Sequence, residues 1–122
     1  MVGQKIACLD CKILYYLGYG SYGTWIDADS VDEFDSKAKK VVGRDSDDPW
    51  TEHGKLRKNQ NLRKVLVDHA GHRLIQWCDD AEYGSENGVL YMMGSYGTRG
   101  EPILEDYGAF KHVNLWETPV DA

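Results

Sequence analysis

The sequence contains no apolar segment of the roughly 20 residues that a membrane-spanning helix needs. Its N-terminus lacks the charged and then apolar pattern of a secretory signal peptide. Three cysteines cannot all pair within one chain, and an odd number without a signal peptide is typical of free thiols in a reducing compartment. We therefore expect a cytoplasmic protein with no membrane partner.

Basic charge is also scarce, because 14 Lys and Arg residues stand against 20 Asp and Glu residues and the net charge is −6. This excess of negative charge opposes a general attraction to nucleic acid, so we expect no nucleic-acid partner. A basic island interrupts the acidic sequence, and it reads as a solvated face, with a phosphate contact as the alternative. Its members are Lys55, Arg57, Lys58, Arg63 and Lys64.

The chain has neither a low-complexity segment nor an inter-domain linker. Its 122 residues suit one domain, which at this size buries roughly two-thirds of the surface that the unfolded chain exposes. We therefore treat residues 1–122 as a single domain.

The clearest predicted element is a helix over Val31–Val42. Ser30 and Glu33 have the spacing of a capping box, in which each side chain meets a backbone N–H that the helix leaves unpaired. Apolar residues recur on one face, and lysines follow the acidic first turn, which complements the helix dipole. Gly43 stands where a C-terminal glycine cap belongs.

The other segments predict strands and loops. A strand is expected over residues 12–17, and a short helix followed by an exposed basic loop over residues 48–61. Segments 64–68 and 73–78 flank His69-Ala70-Gly71-His72 and predict a hairpin. Further strands are expected in 89–93, 103–107 and 110–116. The sum is an α+β fold, an antiparallel sheet of about five strands with one main amphipathic helix packed on one face.

One five-residue motif, Gly-Ser-Tyr-Gly-Thr, occurs twice, at 20–24 and at 94–98, each time after a strand-like run. If the two strands lie side by side, their tyrosines share one rim. Tyr and Trp are favourable contact residues, since they offer a large area and a polar tip. The ordinary alternative is that glycine lets an aromatic ring pack over bare backbone. The predicted binding residues are Tyr19, Tyr22, Trp25 and Tyr96, with Asp27 and Asp29 as acidic neighbours.

The segment Gly18–Gly23 fits the pattern GxGxxG, whose glycines bring backbone N–H groups close to phosphates at the start of a helix. It resembles the glycine-rich loop of protein kinases, and this resemblance implies a nucleotide site. The chain is too short for a kinase and has no His-Arg-Asp catalytic loop. A turn or a bulge that requires glycine is therefore the preferred interpretation.

Two short pairs have the spacing of metal chelates, Cys8 with Cys11 and His69 with His72. Two thiolates and two imidazoles would make a tetrahedral zinc site. The histidine spacing is shorter than usual, however, and the pairs are nearly 60 residues apart, unlike a standard zinc finger. A cysteine nucleophile with a histidine base is a further alternative. No cofactor and no metal are assigned from the sequence.

These features together lead to an expected function. We expect a small acidic protein of the binding or inhibitor type that acts on a macromolecular partner, a protein rather than a nucleic acid, through its Tyr/Trp/Gly-rich surface. No catalytic signature is present. The alternatives are a small-ligand-binding protein that uses the Gly-Tyr loops, or a small zinc or thiol enzyme built on the Cys and His residues.

Overall fold

The computed structural model describes residues 2–20, 24–41 and 57–117. The elements in chain order are β1 (Val2–Cys8), β2 (Ile13–Gly20), α1 (Val31–Val41), α2 (Arg57–Asp68), β3 (Leu74–Cys78), β4 (Glu82–Glu86), β5 (Val89–Met93), β6 (Arg99–Leu104) and β7 (Lys111–Asn114). Short 3₁₀ turns lie at Asp79–Ala81, Ser95–Gly97 and Tyr107–Ala109. Within these ranges no helix is both long enough and apolar enough to cross a membrane.

The described strands form two sheets. A central sheet has the order β3-β1-β2-β7, and an outer sheet has the order β4-β5-β6. All neighbours are antiparallel except β2 and β7, which run parallel. The predicted α+β class is confirmed, whereas the predicted single sheet of about five strands is wrong. Alternating apolar residues predict that a segment is a strand, but they do not specify which strands pair.

The central sheet is the middle layer, because its two faces pack against different partners. Alternation along β1 places Ile6 on one face and Ala7 on the other. Ile6 lies in a core with residues of both helices, and Ala7 lies in a core with residues of the outer sheet. The helix-side core contains Ile6, Leu17, Ile26, Ala28, Phe34, Leu62, Val65 and Leu66. The opposite core contains Ala7, Leu14, Trp77, Leu90, Ile103, Leu104 and Phe110.

Helix α1 confirms the predicted helix to within one residue at its C-terminal end. The Glu33 N–H donates to Ser30 Oγ at 3.1 Å, and the Glu33 carboxylate accepts the Asp29 N–H at 2.8 Å. These two bonds satisfy donors that the first turn leaves unpaired. Phe34 is buried in the helix-side core. The predicted cap at Gly43 lies outside the described residues.

Helix α2 corrects the sequence-based prediction, which placed a basic loop and then a strand in this segment. Its buried face includes Lys58, Asn59 and Asn61 beside the apolar Leu62 and Val65. Polar residues at core positions hide the helical period. The Asn61 amide donates to the backbone carbonyls of Leu17 and Leu115, at 2.8 and 3.4 Å. Only the folded chain shows these partners.

The described side chains of the basic island interact mainly with other residues of the same chain. Three of its members contact other side chains: Arg63 with Asp35 at 3.0 Å, Lys64 with Asp68 at 3.5 Å, and Arg57 over the Trp116 ring at 5.5 Å. Lys58 is almost fully buried, and burial lowers its pKa to about 8. Lys55 lies outside the described residues. These contacts engage three of the five basic side chains within the chain.

Gly18 lies at a β-bulge, which agrees with the preferred interpretation of this glycine-rich segment. The register between β1 and β2 shifts between Gln4 and Lys5, opposite Gly18, and Gly18 has a φ of +140°. A residue with a Cβ resists that conformation. Helix α1 begins only at Val31, so the glycine pattern does not lead into the helix N-terminus that a phosphate site would use.

Candidate metal centre

Four metal-ligating side chains converge at one end of the central sheet. Cys8 ends β1, and Cys11 lies in the turn between β1 and β2. His69 and His72 lie in the connection between α2 and β3. One ligand atom from each of the four lies within 4.8 Å of all the others. Cys8 and His69 are buried, whereas Cys11 and His72 are exposed.

The three distances from His72 to the other ligand atoms are those of a tetrahedral site. The His72 Nδ1 atom lies 3.4 Å from Cys8 Sγ, 3.5 Å from Cys11 Sγ and 3.4 Å from His69 Nδ1. Zinc binds sulfur at about 2.3 Å and imidazole nitrogen at about 2.0–2.1 Å. Tetrahedral angles between such bonds separate sulfur from nitrogen by about 3.6 Å and nitrogen from nitrogen by about 3.3 Å. These three distances therefore match three of the six edges of a zinc tetrahedron.

Hydrogen bonds alone explain the cluster poorly. Three atoms approach the single Nδ1 atom of His72, and a ring nitrogen of neutral imidazole either donates one proton or accepts with one lone pair. It therefore forms at most one good hydrogen bond with these three neighbours. A cation at the centre would instead interact favourably with every one of these atoms at once.

Each pair of ligands is shaped by a tight turn. The Lys12 N–H donates to the Cys8 carbonyl at 2.9 Å, and Lys12 takes a φ of +58°. The Cys11 N–H points at Cys8 Sγ at 3.4 Å, a donor aimed at a sulfur that carries negative charge when it binds metal. The His72 N–H donates to the His69 carbonyl at 3.0 Å.

The two turns are joined by contacts that need no metal. The Leu9 N–H donates to the Arg73 carbonyl at 2.9 Å. The Asp10 carboxylate accepts the Arg73 N–H at 2.8 Å and the Arg73 Nε–H at 3.0 Å. These bonds, the backbone bond first, lower the pKa of Asp10. The chain thus holds the ligand turns together before any ion enters.

A second layer of contacts orients His69. Its Nε2 atom lies 2.8 Å from the Tyr15 hydroxyl, which leaves Nδ1 for the cluster. Burial, and then the neighbouring His72, lowers the pKa of His69, which favours the neutral imidazole that binds metal. The adjacent Cys8 thiol is the main cause that raises the pKa of Cys11. A bound cation opposes that effect, because it stabilises thiolates.

The residues predicted as a binding surface are not gathered in one place by strand pairing. Tyr19 lies near the end of β2 in the central sheet, whereas Tyr96 lies in the turn between β5 and β6 of the outer sheet. The expectation that the two motif-bearing strands are neighbours is therefore wrong. Tyr22 lies outside the described residues. Tyr96 is fully exposed and Tyr19 is 47% exposed, Trp25 is partly buried, and Asp27 and Asp29 are exposed.

The four Cys and His residues were noted from the sequence, but no metal was assigned to them. In the fold the cysteines lie at the β1–β2 turn and the histidines directly follow helix α2. The chain between the cysteine pair and the histidine pair includes β2, α1 and α2. Recognising α2 as a helix was the missing step, because it turns His69 and His72 from a hairpin turn into a helix-terminal pair.

Comparison with known proteins finds no matching family model, no significantly similar curated protein and no significantly similar solved structure. Function is therefore inferred from the geometry of the chain.

Proposed function

We propose that the protein is a zinc-binding protein that holds one ion between Cys8, Cys11, His69 and His72. The observation that carries this proposal is the convergence of four ligand atoms within 4.8 Å. Two thiolates and two imidazoles in tetrahedral array suit zinc better than the hard cations that prefer oxygen. Four protein ligands leave no open position for a substrate, so the ion has a structural role.

The structural role follows from what the ion would connect. Cys8 and Cys11 belong to the β1–β2 hairpin, and His69 and His72 follow α2. A zinc ion would join the central sheet to the helix layer across a long stretch of chain. Fixing such distant residues together reduces the freedom of the unfolded chain, and this effect grows slowly with loop length.

Metal content tests the proposal directly. We expect native mass spectrometry and elemental analysis to find one zinc per chain, and cobalt substitution to give the visible spectrum of a tetrahedral thiolate site. Cys11→Ser and His72→Ala should lose the ion. Cys78→Ser is the matched control, since Cys78 is the third cysteine of the chain and is not one of the four clustered residues. A wild-type chain without metal, or zinc retained by both ligand variants, would refute the proposal.

We also propose that the protein acts by binding a protein partner through exposed aromatic residues. The turn that carries Tyr96 supports this, because it is closed by backbone bonds, the Gly94 N–H to the Thr98 carbonyl at 2.6 Å and the Thr98 N–H to the Ser95 carbonyl at 3.1 Å. An exposed ring on a rigid turn loses little entropy on binding. The net charge of −6 favours a basic partner surface.

Capture from the native host tests this second proposal. We expect the wild-type protein to retain a defined partner, and Tyr96→Ala or Tyr19→Ala to weaken retention at least about tenfold, as for an interface hot spot. Tyr83→Ala is the control, since Tyr83 is an exposed tyrosine that is not among the predicted binding residues. Equal retention by all variants, or equal loss with Tyr83→Ala, would show that the proposed residues do not form the contact.

A further inference from the structure

A cleft of about 420 Å³ lies on the face of the central sheet that is turned away from the helices. Alternation along β1 and β2 places Lys5 and Tyr16 on this face, opposite Ile6 and Cys8. The cleft is therefore separate from the zinc cluster, and its volume falls in the range of small-molecule sites. Its lining residues are Lys5, Leu14, Tyr16, Tyr19, Asp79, Tyr107, His112, Val113 and Asn114.

Aromatic rings form much of the wall of this cleft. Tyr16 and Tyr19 make an edge-to-face pair with ring centroids 5.5 Å apart. Tyr107 and His112 make a second pair at 5.1 Å. Such pairs hold each ring in place, so the cleft offers ring faces that are already ordered before a ligand arrives.

Two polar atoms in the cleft have unmet hydrogen-bonding capacity. The Tyr16 hydroxyl and Asp79 Oδ1 are buried and form no hydrogen bond with the described residues, although the Lys5 ammonium lies 3.2 Å from Asp79 Oδ1. Burial, and then the adjacent Tyr19 hydroxyl, raises the pKa of Tyr16, so its phenol stays protonated. Native proteins rarely leave such atoms without a partner. A ligand with a hydrogen-bond donor would satisfy the carboxylate oxygen.

The charge around the cleft favours a cation. The Lys5 ammonium lies 2.7 Å from Glu82 Oε1 and 3.2 Å from Asp79 Oδ1. One positive group therefore faces two negative groups. Glu82 also accepts the Trp77 indole N–H at 2.6 Å. Glu82 thus accepts two bonds within the fold, whereas the described residues give Asp79 Oδ1 just the longer contact with Lys5, so that it can also accept a bond from a ligand.

We propose that this cleft binds a small aromatic amine in its protonated form. The ammonium group would bond to Asp79 Oδ1 and lie near the tyrosine faces, which attract cations. The aromatic body would pack between the two ring pairs. A primary ammonium supplies several donors, and an anionic ligand is disfavoured by the excess negative charge.

Tyramine is the probe for the test, with 4-ethylphenol as its neutral match and 3-(4-hydroxyphenyl)propionate as its anionic match. In backbone amide NMR on the full chain, tyramine should shift residues lining the cleft with a dissociation constant of about 1 mM or tighter, typical of a ligand of this size. The two matched compounds should bind at least about tenfold more weakly. Absence of shifts up to about 10 mM, or equal affinity for 4-ethylphenol, would overturn the proposal.

Substitutions locate the site. Asp79→Asn keeps the shape of the side chain and removes its charge, and it should weaken tyramine binding about tenfold or more. Tyr16→Phe gives a second, milder change and should weaken binding a few-fold. Asp106→Asn is the control, because Asp106 is paired with Lys12 outside the cleft. Unchanged binding in Asp79→Asn and Tyr16→Phe, or shifts confined to residues outside the cleft, would show that the cleft is not the site.

Discussion

Replacing Cys8 by Ser is expected to lower the melting temperature by about 15 °C. Free zinc at about 1,000 times the dissociation constant stabilises a protein by about 4 kcal/mol. An unfolding entropy of about 2.1 cal/mol/K per residue converts that loss into roughly this shift for a chain of 122 residues. Serine keeps the size of Cys8 but supplies no thiolate, so the ion loses a ligand that is buried in the fold.

The chelator experiment separates loss of metal from damage to packing. Wild-type protein treated with a strong zinc chelator should melt close to the Cys8→Ser variant, and the same chelator should not change the melting of Cys8→Ser. Calorimetry or circular dichroism measures all of these transitions, and Cys78→Ser should melt near the wild type. If the chelator leaves the wild-type midpoint unchanged while Cys8→Ser still melts early, Cys8 contributes only packing.

The second large effect is expected for Gly18→Ala, which should reduce the free energy of unfolding by about 2–6 kcal/mol. Gly18 has a φ of +140°, a conformation that strains a residue with a Cβ by about 1–3 kcal/mol. That Cβ would also overlap the Trp116 ring, and overpacking adds about 1–3 kcal/mol. Urea denaturation of the zinc-loaded protein measures the sum.

Gly84→Ala is a close control for Gly18→Ala. Gly84 has a φ of +141°, yet a Cβ added there would meet no atom within 4 Å. The two variants therefore share the backbone strain and differ in the contact with Trp116. We expect Gly84→Ala to be the milder by about 1–3 kcal/mol. Equal destabilisation by both would mean that the Trp116 ring moves aside and that backbone strain is the whole effect.

Local signals in the sequence were sufficient for α1 and for β2, β3, β5 and β7, whereas β1, β4 and the first half of β6 were not predicted. The cap formed by Ser30 and Glu33 depends on neighbours three residues apart, and the folded chain contains both of its hydrogen bonds. The glycine-rich pattern at Gly18 likewise predicted a turn or a bulge, and the pairing of β1 with β2 shifts its register there. Such features need no knowledge of distant residues, because their partners lie within one turn or one strand.

Local sequence signals did not predict helix α2, and the reason is specific. Lys58 and Asn61 occupy buried positions where a helical pattern would show apolar residues. Asn61 is tolerated there because it bonds to carbonyls of Leu17 and Leu115, residues 44 and 54 positions away. A buried polar side chain is favourable only when it is paired, and sequence reasoning has no access to a pair of that kind.

The chain by itself determined the α+β class, the helix at Val31 and the two chelate-like pairs, since each depends on residues close in sequence. Tertiary structure alone decided the division into two sheets, the placement of β2 and β5 in different sheets and the meeting of Cys8 with His72. Those outcomes depend on which distant surfaces pack together. Packing is selected by the free energy of the whole fold, so no local stretch contains that information.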